Sequence, residues 1–524
     1  MDSRTGENQE RSKYDSAIDL FSLLHEDLVL DILSYLPPRD VARSSVLSKS
    51  WHHVWNSIPT ENFHFFYDGR RDSNAINNFI NSVDDSLQEF RGRQITKIKS
   101  FSLCLPIPYA EEFPCLDDWI GLVTHHCIEE LQICIDFAMI KFPRAIFQAK
   151  SLSVLRLQGF TMRGTVLGGD ITLPCLKILS LSGVYNSDLM TEKFLSSCPS
   201  LEQFSILASD LKNLHISNLP KLKKVEAEVS HKIHIEGLNI QILRCTIFRS
   251  SGLELEELHC NNLKELSVHA DITNYWIQQL FEKFHLLEIL HLKSFQLCQR
   301  VFISSHKLKR LSLDLNTRPE VLDINAPNLK SLTYRGETLP CLCRMNTSSP
   351  QIAKMGIDAT KEFIGRAWFL RLKNYLGVFH NHELLALSVY SNEISFNPTE
   401  WTDKYRPQPC RLERMEIIHV KSAIISNYSA LLDGLLCCAP PRILQFKYLP
   451  KHNSELIKFF YETLTTNMEE HQQCPFNCKL WCWRHILKDV KIKIQKHNGV
   501  EQKGEFVSLQ NLECGDLVIF EFTW

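Results

Sequence analysis

One triplet returns through the middle of this chain: an apolar residue, two others, an apolar residue, one other, an apolar residue. It reads Ile128/Leu131/Ile133, Leu152/Leu155/Leu157, Leu176/Leu179/Leu181 and Leu201/Phe204/Ile206. It resumes as Leu263/Leu266/Val268, Leu287/Leu290/Leu292, Leu308/Leu311/Leu313 and Leu329/Leu332/Tyr334. The starts are 24, 24 and 25 residues apart in the first group and 24, 21 and 21 in the second. A short strand with one apolar face cannot bury that face alone, so copies at such a step must stack. One copy would pass for an ordinary buried strand; a series near a common period defines an array. Helical stretches at 117–126, 191–197 and 273–284 fill the return path in several copies, so the expected class is α/β. Between Leu211 and Cys260 the starts crowd, at Leu211, Leu222, Ile240 and Leu255, which predicts an irregular stretch.

A second signal occupies residues 27–55. Leu28, Val29, Ile32, Leu33 and Leu36 recur at helical spacing and form one apolar stripe. Glu26 and Asp27 suit the positive end of that helix, and Pro37 with Pro38 stops it. A second helix can begin near Asp40 with Val41, Ala42, Ser45 and Val46 on one face, and Trp51, Val54 and Trp55 continue an apolar surface. Periodicity alone gives a small helical hairpin packed on the rest of the chain.

The order of those residues resembles the F-box family. That family carries a leucine-proline opening, an Ile-Leu-x-x-Leu-Pro helix, then Val-x-Ser-x-x-Trp and a second tryptophan. This chain has Leu24, then Ile32-Leu33-Ser34-Tyr35-Leu36-Pro37, Val46-Leu47-Ser48-Lys49-Ser50-Trp51 and Trp55. The triplet array is similar to leucine-rich repeats. The resemblance implies a non-catalytic receptor subunit of an SCF-type ubiquitin ligase. Its F-box would dock on a Skp-type adaptor, and through it a cullin, while the repeats hold a target protein. The adaptor-binding set it implies is Leu24, His25, Leu28, Ile32, Leu33, Leu36, Pro37, Val46, Ser48, Trp51 and Trp55, shared between contact surface and module core. Two positions depart from the family. His25 stands where proline follows the opening leucine, and Ser50 replaces a basic residue. Proline would pre-set the backbone for helix entry, so His25 predicts reduced adaptor affinity. The alternative is a repeat protein acting outside the ligase.

The expected fold is α/β: an N-terminal helical F-box, a curved leucine-rich-repeat solenoid and a mixed α/β cap. The expected boundaries are a tail at 1–17, F-box 18–64, helical linker 65–94, repeats 95–350, and degenerate repeats with a terminal module at 351–524. In that last part 362–379 reads as a helix, and Leu384/Leu387/Val389 and Leu412/Met415/Ile417 as degenerate copies. Val490, Ile492 and Ile494 alternate as a strand does, as do Val518, Phe520 and Phe522. The passage Cys482-Trp483-Arg484-His485 through Leu487-Lys488-Asp489 resembles the terminal module of plant F-box/leucine-rich-repeat proteins related to the FBD group. It would cap the last apolar face of the array.

The position before each third apolar residue should face the concave side. Those positions hold Gln132, Arg156, Ser180, Ser205, Ser267, His291, Ser312 and Thr333. A small, polar set of mixed charge suits a protein or small-ligand surface, and Arg156, Ser180, Ser205, His291, Ser312 and Thr333 are the candidate target-binding residues. Basic residues number 58 against 60 acidic, which offers no footprint for nucleic acid. No stretch approaches the roughly 20 apolar residues of a membrane span, and the polar start MDSRTGENQERSKYDS carries no secretory signal. The 18 cysteines are scattered, with Cys245 and Cys260 at apolar strand positions, so free thiols are expected, and with them the cytosol or nucleus. His471, Cys474, Cys478, Cys482 and His485 could in principle hold zinc, but five ligands in one short run mismatch known spacings. No metal or cofactor is expected. The chain has no phosphate loop, no H-E-x-x-H and no G-x-S-x-G elbow. The pairs His52-His53 and His125-His126 are adjacent and cannot share a helix face. No catalytic residue is therefore expected.

Overall fold

A computed structural model describes residues 24–34, 43–44, 46, 48–49, 51, 53–54, 60–67, 73–92, 97–105, 115–135, 140–162, 172–185, 187–248, 253–294, 300–315, 319, 321–339, 342–346, 352–359, 363–377, 381–389, 393–397, 411–420, 425–449, 453–466, 483–497, 499, 501–503 and 511–524. The chain divides into two compact units, Met1–Asp210 and Leu211–Trp524, so the division falls inside the stretch read as one array.

The first unit opens with α1 (Glu26–Ser34). Its strands are β1 (Thr60–Phe66), β2 (Lys97–Leu105), β3 (Glu130–Ile135), β4 (Ile140–Lys141), β5 (Val154–Gln158), β6 (Phe160–Thr161), β7 (Ile178–Ser182) and β8 (Gln203–Leu207). β1, β2, β3, β5, β7 and β8 pair in that order, every pair parallel. Between them run α2 (Ser73–Gly92), α3 (Cys115–His125) and α4 (Asp188–Ser196). The triplets fall in register: Leu131, Leu155, Leu179 and Phe204 form one buried column, and Ile133, Leu157, Leu181 and Ile206 the next. The ladder begins at Thr60 rather than near residue 95, because β1 pairs along β2. The expected linker helix, α2, is the return path of this first repeat. Its Phe90 packs edge-on against Phe63 of β1, and Asp84 accepts a hydrogen bond from Trp119 Nε1 of α3 at 3.1 Å.

The second unit continues with β9 (Asn213–Ile216), β10 (Lys224–Val229), β11 (Lys232–Glu236), β12 (Ile242–Ile247), β13 (Leu258–His259) and β14 (Glu265–His269). After α5 (Asn274–Lys283) come β15 (Ile289–Ser294), β16 (Arg300–Ser304), β17 (Arg310–Leu315), β18 (Val321–Asn325), β19 (Ser331–Gly336), β20 (Leu342–Asn346) and β21 (Ile352–Ala359). Then follow α6 (Arg366–Gly377), β22 (Asn381–Val389), β23 (Arg411–Val420), α7 (Ile425–Cys438), β24 (Pro441–Lys447) and α8 (Ser454–Thr466). The main parallel ladder runs β10, β12, β14, β15, β17, β19, β21, β22, β23, β24. Two smaller parallel sheets accompany it, β9–β11–β13 and β16–β18–β20.

Those smaller sheets correct one expectation. The described residues of 211–260 form two interleaved ladders, because the return path there is a strand rather than a helix. A strand advances about 3.3 Å per residue against 1.5 Å in a helix, so such a repeat closes in fewer residues. Its second apolar alternation (Leu214/Ile216, Ile233/Ile235) also doubles the apparent triplet starts. The same logic gives the 21-residue steps after Leu287, where β16, β18 and β20 form the return.

Two further differences lie toward the C-terminus. α6 starts at Arg366 rather than 362, since Ile364 is held in a parallel bridge to Ile394. Leu384 stands in the outward column beside Lys354, and Leu385 takes the buried place. α7 packs so closely on α6 that a Cβ at Gly434 would lie 2.2 Å from Phe369 Cζ.

The sheet ends by reversal. β25 (Asp489–Gln495) carries β26 (Glu501–Lys503) at its edge and pairs antiparallel with β27 (Leu517–Thr523), which pairs antiparallel in turn with β24. A helical turn, α9 (Trp483–Ile486), precedes β25.

Candidate functional site

The N-terminal module divides its apolar residues between two roles that periodicity could not separate. Val29, Leu33, Trp51 and Val54 form one buried cluster, with Leu24 packed against it. Ser48 Oγ accepts from the Trp51 N–H at 3.2 Å, which fixes the tryptophan's entry into that core. Leu28, Ile32 and Val46 stay on the surface at 53%, 40% and 85% exposure. So of the residues expected at the adaptor, Leu33 and Trp51 are core, and Leu28, Ile32 and Val46 are the exposed apolar surface. Leu36, Pro37 and Trp55 lie outside the described residues. His25 is exposed and opens α1: its carbonyl accepts from the Leu28 and Val29 N–H groups at 3.0 and 3.1 Å. Its Nδ1 faces the Asp27 N–H at 3.4 Å and the Asp27 carboxylate at 3.3 Å.

The eight positions before the third apolar residue form true columns. In the first unit Gln132, Arg156, Ser180 and Ser205 are register partners in succession. In the second, Ser267, His291, Ser312 and Thr333 follow one another likewise. Arg156 and Gln132 are exposed, and Ser180, Ser205, His291, Ser312 and Thr333 are half-buried. The second column in fact begins with Glu226 and Arg244 and runs on to Lys354, residues the triplet pattern did not mark. The signal was present in Leu243-Arg244-Cys245, a polar residue between two buried ones, but the crowded starts hid it. Arg244 Nε and Nη2 both donate to Glu265 Oε1, at 3.0 and 2.7 Å. Beside this pair, burial holds the His291 imidazole below its ordinary range, against the opposing pull of Glu265, so it sits in the column as a neutral donor and acceptor.

A second polar face, also missed, lies on the sheet β9–β11–β13. His215 opposes His234 with rings 4.8 Å apart, and His259 lies 5.9 Å from His234. His234 Nδ1 pairs with Glu257 and its Nε2 with Glu236 at 3.3 Å. The hydrogen bond to Glu257 is the main force raising the imidazole's pKa above its ordinary 6.5. Both ring nitrogens of His234 are thus engaged, and among the described residues no group of histidine, cysteine and carboxylate side chains is placed to hold a metal.

The terminal passage singled out by resemblance has a structural role. Asp433 of α7 accepts from Trp483 Nε1 at 2.8 Å and from Arg484 Nη1 at 2.6 Å, and the guanidinium stacks 4.4 Å over the Trp483 ring. His485 is exposed; His471, Cys474, Cys478 and Cys482 lie outside the described residues. Cys245 and Cys260 are buried free thiols, pushed up to about 12 mainly by burial, and so inert at neutral pH. Among the described residues no helix is long and apolar enough to cross a membrane.

An exposed apolar stripe on a small helical core, followed by stacked parallel strands carrying outward polar columns, is the arrangement of an F-box joined to leucine-rich repeats. Comparison with known proteins agrees. Residues 21–61 match the F-box domain, and residues 116–241 match the repeats described as "FBD-associated F-box protein At5g56370, LRR repeats". The chain therefore carries an F-box domain and leucine-rich repeats of the FBD-associated kind, and its relatives are plant F-box/leucine-rich-repeat proteins. It is 26% identical to the Arabidopsis thaliana "Putative F-box/LRR-repeat protein At5g02930" over 368 residues, 66% of this chain and 73% of that protein. Similarity to "F-box/LRR-repeat protein At3g03360" from the same plant is 26% over 358 residues, 65% of this chain and 70% of that one. Similarity to the Arabidopsis "FBD-associated F-box protein At1g66310" is 26% over 419 residues, 71% of this chain and 90% of that one.

Proposed function

We propose that this chain is the substrate-recognition subunit of an SCF-type ubiquitin ligase. F-box domains generally bind Skp-type adaptors in cullin ligases, and proteins of this class are generally non-catalytic. One observation carries the reading here: Leu28, Ile32 and Val46 are exposed above a core built from Val29, Leu33, Trp51 and Val54. Apolar side chains held out of a formed core favour burial against a partner. Each unit's parallel ladder carries an outward polar column, Arg156, Ser180 and Ser205 in the first and His291, Ser312 and Thr333 in the second, and these columns are the surfaces we assign to a target protein. Neither nucleic acid nor membrane is a partner, and the protein works in the cytosol or nucleus without a cofactor. Catalysis is positional: holding a target lysine near a charged ubiquitin carrier raises its effective concentration.

His25 bears on the alternative, a role outside the ligase. Its carbonyl accepts the first N–H groups of α1, so the helix entry forms here without proline. The test is recovery of a plant Skp-type adaptor and cullin with the tagged full chain, with His25→Pro alongside. Recovery by both supports the ligase reading; recovery by the proline variant alone transfers it to the alternative.

A further inference from the structure

α5 sits at a change of layer. On one side it is tied to the preceding repeat: Trp276 Nε1 donates to the Leu253 carbonyl and Lys283 Nζ to the Leu255 carbonyl, both at 2.5 Å. On its other side the next return path is not a helix but β16, the edge strand of the sheet β16–β18–β20. A helix with its side chains is about 10 Å across and a strand layer is thinner, so the step leaves a gap. That gap is an open groove of about 720 Å³. Ile277, Phe281 and Phe302 give it apolar walls, and Phe302 remains 40% exposed within it. Glu282 and Asp323 supply two carboxylates, while no lysine or arginine lines it. Among the described residues neither carboxylate is in an ion pair. Beside Asp323, Asn325 is linked to Ser304 at 3.4 Å and to Asn346 at 2.9 Å, an exposed amide row able to meet a peptide backbone.

We propose that this groove is a second docking site, for an extended peptide segment of a partner protein bearing a lysine or arginine beside an aromatic or branched apolar residue. The apolar side chain packs between Phe281 and Phe302, and the cation meets Glu282 and Asp323 over aromatic faces, where cation–π attraction adds to the charge pairing. The site lies on a different sheet from the outward columns and does not depend on the F-box.

The test is selection of a random seven-residue displayed peptide library on the full-length chain, with Glu282→Lys and Asp323→Lys as charge-reversed variants. The expected result is enrichment of peptides pairing Lys or Arg with Phe, Leu or Ile. Each variant should weaken synthetic copies of them about tenfold or more, as reversal of a contacting charge does. Both changes are at surface carboxylates, and unchanged circular dichroism and melting confirm the fold. The proposal is overturned by failure to enrich any peptide, by selected peptides without a basic residue, or by binding indifferent to both variants. Self-association lost on Glu282→Lys would assign the groove to a second copy of the chain and overturn it equally.

Discussion

Replacing Asp433 with alanine should release the C-terminal cap. The Asp433 and Arg484 side chains are 3% and 11% exposed, and Trp483 is buried with them. Removing the carboxylate takes this counter-charge from the guanidinium in a poorly solvated site, a loss of about 3–5 kcal/mol for a broken buried pair. The orphaned Trp483 N–H would add about 1–3 kcal/mol if independent. The two share one acceptor atom, Oδ1, so they do not add, and about 4 kcal/mol is expected. The effect should be local to α9, β25 and β27, because α9 leads directly into β25 and Lys488 N–H donates to the Thr523 carbonyl at 2.8 Å. Hydrogen exchange reads this: amides of Ile492, Ile494, Val518 and Phe520 should exchange about a thousandfold faster while Leu155 and Leu179 keep their protection. Asp433→Leu with Arg484→Met should restore only part of it, since an apolar pair replaces a buried ionic one at little cost while the Trp483 N–H still lacks its acceptor. Unchanged protection in β25 and β27 of the alanine variant would refute the reasoning.

Other consequences are as direct. Burial alone would raise the Asp516 carboxyl, but the Glu513 N–H, Lys496 and the His497 N–H outweigh it and hold it at about 2 against an ordinary 3.8. A depressed carboxyl stabilises above its unfolded value, so about 2 kcal/mol should be present at neutral pH and lost as pH falls from 3.8 toward 2. Asp516→Asn should flatten that part of the denaturation profile; an identical profile contradicts the assignment. The His234–Glu257 pair has a raised imidazole and a lowered carboxyl, each shifted chiefly by their mutual hydrogen bond. It is therefore fully present between 4.5 and 6.5, lost above the histidine's raised pKa and lost below the carboxyl's lowered one. An NMR titration of His234 should give a midpoint above 6.5 that Glu257→Gln brings down; an unmoved midpoint counts against the pair. Gly434→Ala should cost about 1–3 kcal/mol by overpacking against Phe369, seen as a lower melting temperature, and no change would deny the close α6–α7 approach.

Much of the fold was legible because the triplet is a direct record of burial. Leu155 and Leu157, Leu290 and Leu292, Leu311 and Leu313 are all buried at the places their spacing assigned, and Thr273 caps α5 where the helical pattern begins. The beginning of the ladder was not legible, since Thr60–Phe66 lacks the leucine triplet and its pairing with β2 is a long-range fact. Nor were the double ladders of 211–260, where two alternations overlap and each obscures the period of the other. For the candidate site, sequence order supplied the residues but not their roles: Ile32 and Leu33 are neighbours on one apolar stripe, and only packing shows one outside and one inside. The anchoring of Arg484 on Asp433 joins residues 51 apart, beyond any local pattern.

The most direct test of the central claim is titration of the purified full chain with a plant Skp-type adaptor, comparing the native protein with the Leu28→Asp, Ile32→Asp double variant. Both side chains are exposed, so the helix and its Val29–Leu33–Trp51–Val54 core should survive, as circular dichroism would verify. The account predicts that the double variant binds about 100-fold more weakly or worse, roughly 3 kcal/mol for two apolar side chains no longer buried against the adaptor. Equal affinity of the two proteins, or no binding by the native chain, would contradict it.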